Sequence, residues 1–248
     1  MKIKVLGSGG YHPSETRETT CIMIPEYGIV LDAGTGFFRV RENLKTDYLK
    51  ILLSHAHLDH SGGLTYLHDV LAGKFPQSNV EVYGLNLHLE KIRDHLFDPG
   101  LFSVSPSFNM VPIDNANRLF EINGIKILYR EQKHAGTSVG YRLTFPSGQV
   151  IVFITDTTTS AEDLEFVRGA DLLIHECYNL ETEKEAALKT NHSWLSEVTK
   201  LATDAKVKKL ALIHINPLHN EADPLGVKNQ KDWPLNFLVA TDNLEIEI

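Results

Sequence analysis

Leu49-Lys50-Ile51-Leu52-Leu53-Ser54-His55-Ala56-His57-Leu58-Asp59-His60-Ser61-Gly62-Gly63 is the stretch on which the fold turns. An apolar strand, Leu49–Leu53, runs directly into four metal-type side chains and then into a glycine pair. In extended backbone, residues two apart point the same way, so His55 and His57 can face one ion together. Asp59 and His60 follow as the chain turns towards a helix, where they can face a second ion. Ser61 is placed to cap that helix, which reaches to about Leu71. Gly62 and Gly63 leave room for close backbone approach.

Working outward, strands Lys2–Leu6, Thr20–Ile24 and Gly28–Leu31 precede the motif, and a helix over Phe37–Asn43 fits the spacing. Val80–Tyr83 is a strand and Asn86–Leu96 has a helical apolar period. Hairpin texture then takes over in Leu119–Ile122, Ile125–Glu131, Ser138–Phe145 and Gln149–Ile154, with Asn123-Gly124 and Ser147-Gly148 as turns. Asp171–Ile174 and Leu210–Ile213 read as buried strands, Ser193–Thr203 as a helix, and Leu244–Ile248 as a closing edge strand. No repeat or interior linker interrupts the chain, so one α/β domain over residues 1–248, with two sheets flanked by helices, fits best.

Composition narrows the function. A formal charge of −8 over 248 residues gives no general nucleic-acid surface, because nonspecific phosphate binding needs clustered Lys and Arg. No apolar run approaches membrane-spanning length, and the first residues lack a signal-peptide pattern. Two cysteines, Cys21 and Cys177, make no disulfide framework, and a reducing, cytoplasmic setting follows. Histidine is abundant, at 12 residues, and its placement matters. His134 and His214 each end an apolar strand, as Asp156 does. Loops at strand ends, held by a rigid sheet, are where site residues are usually presented.

This combination resembles the metallo-β-lactamase superfamily, whose motifs are an early Asp, HxHxDH, a His, an Asp and a final His. Asp32, His55–His60, His134, Asp156 and His214 match them in order. The resemblance implies an αββα sandwich of two mixed sheets and a hydrolase with two divalent metal ions. Zinc is the first expectation, and manganese and iron accept the same donors. By family analogy His55, His57 and His134 hold one ion, Asp59, His60 and His214 the other, and Asp156 bridges them. Asp59 also counts among the catalytic residues, and Asp32 supports the site from behind the ligands.

Two further pieces resemble the ribonuclease Z branch. They are His175-Glu176 at the end of Asp171–Ile174, and His192-Ser193 before the last long helix. In that group the equivalent of His192 assists departure of the leaving oxygen and the equivalent of Glu176 orients it. The chemistry is coherent on its own, since an alkoxide leaves poorly unless it is protonated or neutralised. The motifs depart from the family after two residues, reading His-Glu-Cys-Tyr and His-Ser-Trp. Only 21 residues separate His134 from Asp156, which leaves no room for the protruding arm that grips transfer RNA in bacterial ribonuclease Z. A small-molecule phosphodiester or nucleotide is therefore the expected substrate. RNA cleavage of the ribonuclease Z kind and acyl hydrolysis (lactone, thioester or β-lactam) are the alternatives, and a degenerate binding protein is disfavoured by the filled ligand positions.

Other candidates have plainer readings. His68, His88 and His95 lie at helical positions and read as surface or packing residues, and His12 and His219 as loop residues. Cys177 reads as a small buried thiol. Arg17 meets either a phosphate or a surface carboxylate. The segment 96–109 is either a loop shaping the substrate pocket or a contact in a homodimer.

Overall fold

The computed structural model describes residues 1–104, 107–114, 116–219, 221–227 and 235–248. It divides into two compact units, one of residues 1–116 with 241–247, the other of 117–240 with Ile248. Each unit is built on one mixed seven-stranded sheet.

The first sheet contains β1 (Lys2–Gly7), β2 (Cys21–Ile24), β3 (Ile29–Leu31), β4 (Leu49–Leu52), β5 (Val80–Gly84), β6 (Asn109–Pro112) and β14 (Glu245–Glu247). Its order is β14-β1-β2-β3-β4-β5-β6. Pairing is antiparallel from β14 to β3 and parallel from β3 to β6. The second sheet contains β7 (Leu119–Ile122), β8 (Ile125–Gln132), β9 (Ser138–Thr144), β10 (Val150–Ile154), β11 (Leu172–Glu176), β12 (Leu210–Ile213) and β13 (Phe237–Val239). Its order is β13-β12-β11-β10-β9-β8-β7, again half parallel and half antiparallel. The inner parallel strands β3, β10 and β12 are continuous apolar runs buried almost throughout, as parallel pairing under helices favours. β12, for example, is buried at all four residues. The antiparallel β8 alternates, with Ile125, Ile127 and Tyr129 inside and Lys126 exposed.

Helices cover these sheets. In the first unit Val40, Leu64, Leu67, Val70, Leu89 and Ile92 join the core beneath β3–β5. In the second, α7 (Leu195–Asp204) buries Leu195, Val198, Leu201 and Ala202, an i, i+3, i+6, i+7 face against β10–β12.

Most predicted elements form within a residue or two of their expected bounds. The helix after the motif differs. α2 (Leu58–Ser61) begins at His57, passes into a 3-10 turn over Gly62–Tyr66 and ends as α3 (Leu67–Val70). Ser61 stands at the N-cap position of that 3-10 turn but makes no side-chain cap bond to it. Its hydroxyl donates backwards to the Ala56 and His57 carbonyls, a local bond that competes with helix geometry. The predicted Asn86–Leu96 helix is α4 (Asn86–Lys91) followed by a π turn, Ile92–Leu96. β6 and β13 are not legible in the sequence, because they are short edge strands without clean alternation. No helix among the described residues is long and apolar enough to cross a membrane.

Gly63, but not Gly62, is needed for close approach. A Cβ at Gly63 would overlap the Gly34 carbonyl oxygen and the Phe37 Cβ, whereas one at Gly62 would meet nothing. Gly63→Ala should therefore destabilise the protein by about 1–3 kcal/mol, the usual range for overpacking. Gly62→Ala should be near neutral. Urea unfolding midpoints of the two variants test the difference.

Candidate metal centre

Both units present their polar groups where parallel strands end. In the first unit β3 runs into Asp32 and β4 runs into Ser54 and His55. Asp32 has φ +58°, a left-handed conformation that costs a non-glycine residue energy and occurs where the surroundings impose it. Here the turn drives the Asp32 carboxylate inward, where it is fully buried. Three donors satisfy it: the Ser54 N–H at 2.6 Å, the Ser54 hydroxyl at 2.7 Å and His60 Nδ1 at 2.7 Å. Because the Ser54 proton goes to Asp32, its oxygen accepts from His55 Nδ1 at 2.9 Å.

The tautomers of two histidines are thereby fixed. His60 and His55 each spend Nδ1–H on this network, leaving the Nε2 lone pair for another partner. His60 Nε2 lies 3.2 Å from Asp59 Oδ2, which also accepts the Tyr11 N–H at 2.9 Å. A ring lone pair and a carboxylate oxygen facing each other are satisfied together by a cation. That donor chemistry, with the second ring nitrogen anchored, is the arrangement of metal-ligating histidines. The rings of His57 and His60 each lie 4.4 Å from that of His55, centroid to centroid. His55 is buried and His57 is exposed.

In the second unit β10 runs into Asp156 and β12 into His214, again with positive φ, at +51° and +54°. The Ser138 hydroxyl sits within hydrogen-bond reach of the carbonyls of Thr155 and Asp156, bracing the turn. Asp156 presents its two oxygens to different rings, Oδ1 to His134 Nε2 at 3.6 Å and Oδ2 to His214 Nε2 at 3.4 Å. Thr155 donates to Oδ2 at 2.6 Å. A carboxylate with one oxygen for each of two histidines has the form of a bridging ligand.

At the end of β11, Glu176 is wholly buried. It accepts the Thr157 N–H at 2.6 Å, the Ser193 N–H at 3.2 Å and His192 Nδ1–H at 3.0 Å. His192 therefore turns Nε2 outward. Its ring stacks on Tyr178 at 4.8 Å and on His214 at 5.5 Å, and meets His134 edge-on at 5.3 Å. His134, Asp156 and His192 offer donor atoms within 4.8 Å of one another.

The structure thus gathers His55, His57, Asp59 and His60 around Asp32 in one unit. It gathers His134, Asp156, His192, Glu176 and His214 in the other. Ser54, Ser138 and Thr155 escape sequence reading, because a serine or threonine at a strand end is also the commonest turn residue. Tyr178 reads from sequence only as a departure from a motif.

The remaining candidates resolve into packing or loop roles. His175 faces away from Glu176 into the core, where burial lowers its pKa and its Nδ1–H bonds the Glu176 carbonyl. Burial pushes the Cys177 and Cys21 thiols well up, so both are inert core groups. His88 is buried, and His12 and His219 bond the carbonyls of Pro13 and Pro224. Arg17 is buried rather than at the surface, with Nη1 on the Ser8 hydroxyl at 2.8 Å.

Comparison with known proteins follows from this geometry. A family model described as the β-lactamase superfamily domain matches residues 27–215. A ribonuclease Z of Methanosarcina acetivorans is 25% identical over 302 aligned positions, covering 100% of this chain and 98% of that one. The short form of human tRNase Z superposes with a TM-score of 0.77 at 20% identity, over 100% of this chain and 99% of that one. A diphosphatase of the PhnP family superposes with a TM-score of 0.73 at 19% identity, over 99% and 96%.

Two outcomes are expected. Ser54→Ala releases His55 Nδ1 and should weaken metal binding about 10- to 100-fold, the usual cost of removing such support, read by competition with a chromophoric chelator. Glu197, whose Oε1 accepts the Thr159 N–H, has its pKa raised from 4.5 to about 7, chiefly by burial and further by Glu176. The folded state then holds this proton more tightly than the unfolded chain. Stability should fall as pH climbs from the ordinary glutamate range through about 7. Glu197→Gln should melt above the unmodified protein at about pH 8, with the gap narrowing towards about pH 5.

Proposed function

The chain belongs to the β-lactamase superfamily and is a hydrolase of that kind, and on that premise we propose that it is a phosphodiesterase with a dinuclear metal centre. By the resemblance, His55, His57 and His134 would hold one ion and Asp59, His60 and His214 the second, with Asp156 shared between the two sets. The donor set supports this reading: every one of these side chains is an imidazole or a carboxylate, and His55 and His60 have Nδ1 already anchored. When bound, a divalent pair supplies an activated water and neutralises charge on a phosphodiester. Zinc suits the seven nitrogen and oxygen donors, and manganese or iron remain acceptable.

The observation that carries the phosphodiesterase reading is the pairing of the part-buried His192 with the buried Glu176. Hydrolysis of the diester forms a new P–O bond from water and breaks the bond to the leaving oxygen, which departs as a poor alkoxide unless a proton reaches it. Glu176 holds His192 through Nδ1 at 3.0 Å, which leaves Nε2 aimed outward as the position from which the leaving oxygen takes a proton. The stack with Tyr178 limits ring rotation and keeps Nε2 aimed. A thioester needs such an acid less, since a thiolate leaves more readily than an alkoxide.

RNA cleavage is the second reading, favoured by the ribonuclease Z and tRNase Z names of the relatives. Against it, the alignment with the Methanosarcina acetivorans protein runs over 302 positions, 54 more than this chain has. The net charge of −8 offers no compensating basic surface. A small phosphodiester or nucleotide in a reducing, cytoplasmic setting is accordingly the preferred substrate class.

Purified protein should carry close to two equivalents of divalent metal by elemental analysis and should hydrolyse bis(p-nitrophenyl) phosphate. A metal-free, inactive preparation that takes up no added metal removes the reading. His192→Ala should cut turnover by roughly 10²- to 10⁴-fold, the range for a general acid, with metal content unchanged. Undiminished turnover removes His192 from the mechanism.

A further inference from the structure

Beside His57 the first unit contains a cavity of about 510 Å³, formed entirely by its own residues. That lies within the size range of small-molecule sites. One wall is the motif itself, through Ala56, His57 and Leu58. The facing wall is Ile92 and Leu96 of the π turn with Leu101 and Phe102 of the loop after it. π turns are rare and recur at functional sites. The wall is braced from behind: Phe97 meets Phe102 edge-on at 5.2 Å and Phe108 at 5.8 Å, and both Phe97 and Phe108 are buried. The segment 96–109 therefore shapes a pocket over its described part, with 105–106 outside the described residues.

The polar groups of this lining are mostly spent. The Ser61 hydroxyl bonds the Ala56 and His57 carbonyls, and that of Thr65 bonds the Gly62 carbonyl. The surface left for a ligand is apolar, and Leu58 and Leu101 stand 69% and 81% exposed on it. Lys91 and His95, four residues apart on the same helix, are the further lining residues able to carry positive charge. A sugar-phosphate chain would find few partners here. An aromatic or aliphatic group would remove the leucines from water, with a cation at hand for the phosphate that carries it.

We infer that this cavity is a specificity pocket for the organic group of the substrate, and that the substrate class is a phosphodiester bearing an aromatic or apolar ester group. The inference rests on the metal-centre reading, because His57 joins the two. Leu101, Leu96 and Phe102 receive the group, and Lys91 pairs with phosphate charge.

The test is equilibrium binding of phenyl phosphate and methyl phosphate to the metal-loaded full chain, by calorimetry. Both ligands present one phosphate, so their ratio isolates the organic group. Phenyl phosphate should bind about tenfold more tightly, a modest return for apolar contact in a formed pocket. Leu101→Ser, at an exposed position, and Phe102→Ala should each cut the ratio at least about threefold, while Lys91→Ala weakens both ligands together and preserves it. A ratio near one in the unmodified protein, or a ratio unmoved by both wall variants, overturns the pocket. If the ratio behaves as expected while no aryl phosphodiester is hydrolysed, the phosphodiesterase reading falls and the pocket stands. If diesters are hydrolysed and the ratio is near one, the pocket alone falls.

Discussion

A buried carboxylate cannot stay charged in a protein interior without donors, and both halves of this molecule are organised around satisfying one. Asp32 collects an N–H, a hydroxyl and an imidazole N–H. Glu176 collects two N–H groups and an imidazole N–H. An unpaired ion in either place would cost several kcal/mol. Satisfying them has a by-product that matters more than the stability: each bond to a ring nitrogen decides which nitrogen of that histidine faces outward. The requirement to neutralise a buried charge and the requirement to aim a ring are met by the same bond.

The two sheets reach this arrangement by the same route. Each is antiparallel on one side and parallel on the other, and the charged groups sit at the carboxyl ends of the parallel strands. Asp32, Asp156 and His214 all leave their strands in the left-handed region. A strand that continued straight would carry these side chains along the sheet edge. The turn tips them out of the sheet plane, and the sheet ladder beneath provides the rigidity that holds an unfavourable φ. Strain is thus confined to positions where direction is needed.

Much of this is legible in the sequence. The parallel strands announce themselves as unbroken apolar runs, and a histidine or aspartate directly after such a run stands out against its background. The ligand candidates are named by that contrast, and His192 and Glu176 by resemblance to the ribonuclease Z motifs. The bracing groups are not, because Ser54, Ser138 and Thr155 are chemically ordinary residues whose role depends on a partner far away in sequence. The helix after His57 was misjudged for a related reason. Ser61 has the composition of a cap, but its hydroxyl has nearer acceptors in the preceding turn. The cavity beside His57 is legible in the sequence only as one of two readings of the segment 96–109, since concavity is a property of several stretches together.

The edge strand β14 pairs with β1 across nearly the whole sequence, Lys2 opposite Glu247 and Lys4 opposite Glu245. Asp242, just before it, accepts from Ser8, Glu18 and Arg39. During synthesis, then, β1 is made long before β14 and waits for it. A bare strand edge is a template for pairing with another chain. The two lysines on β1 are a defence for that interval, since like charges oppose the docking of a second copy. When Glu245 and Glu247 arrive, the same lysines become the complement that fixes the register, with Lys2 within 2.5 Å of Glu245. One pair of side chains serves first to keep strangers off the growing chain and then to receive β14.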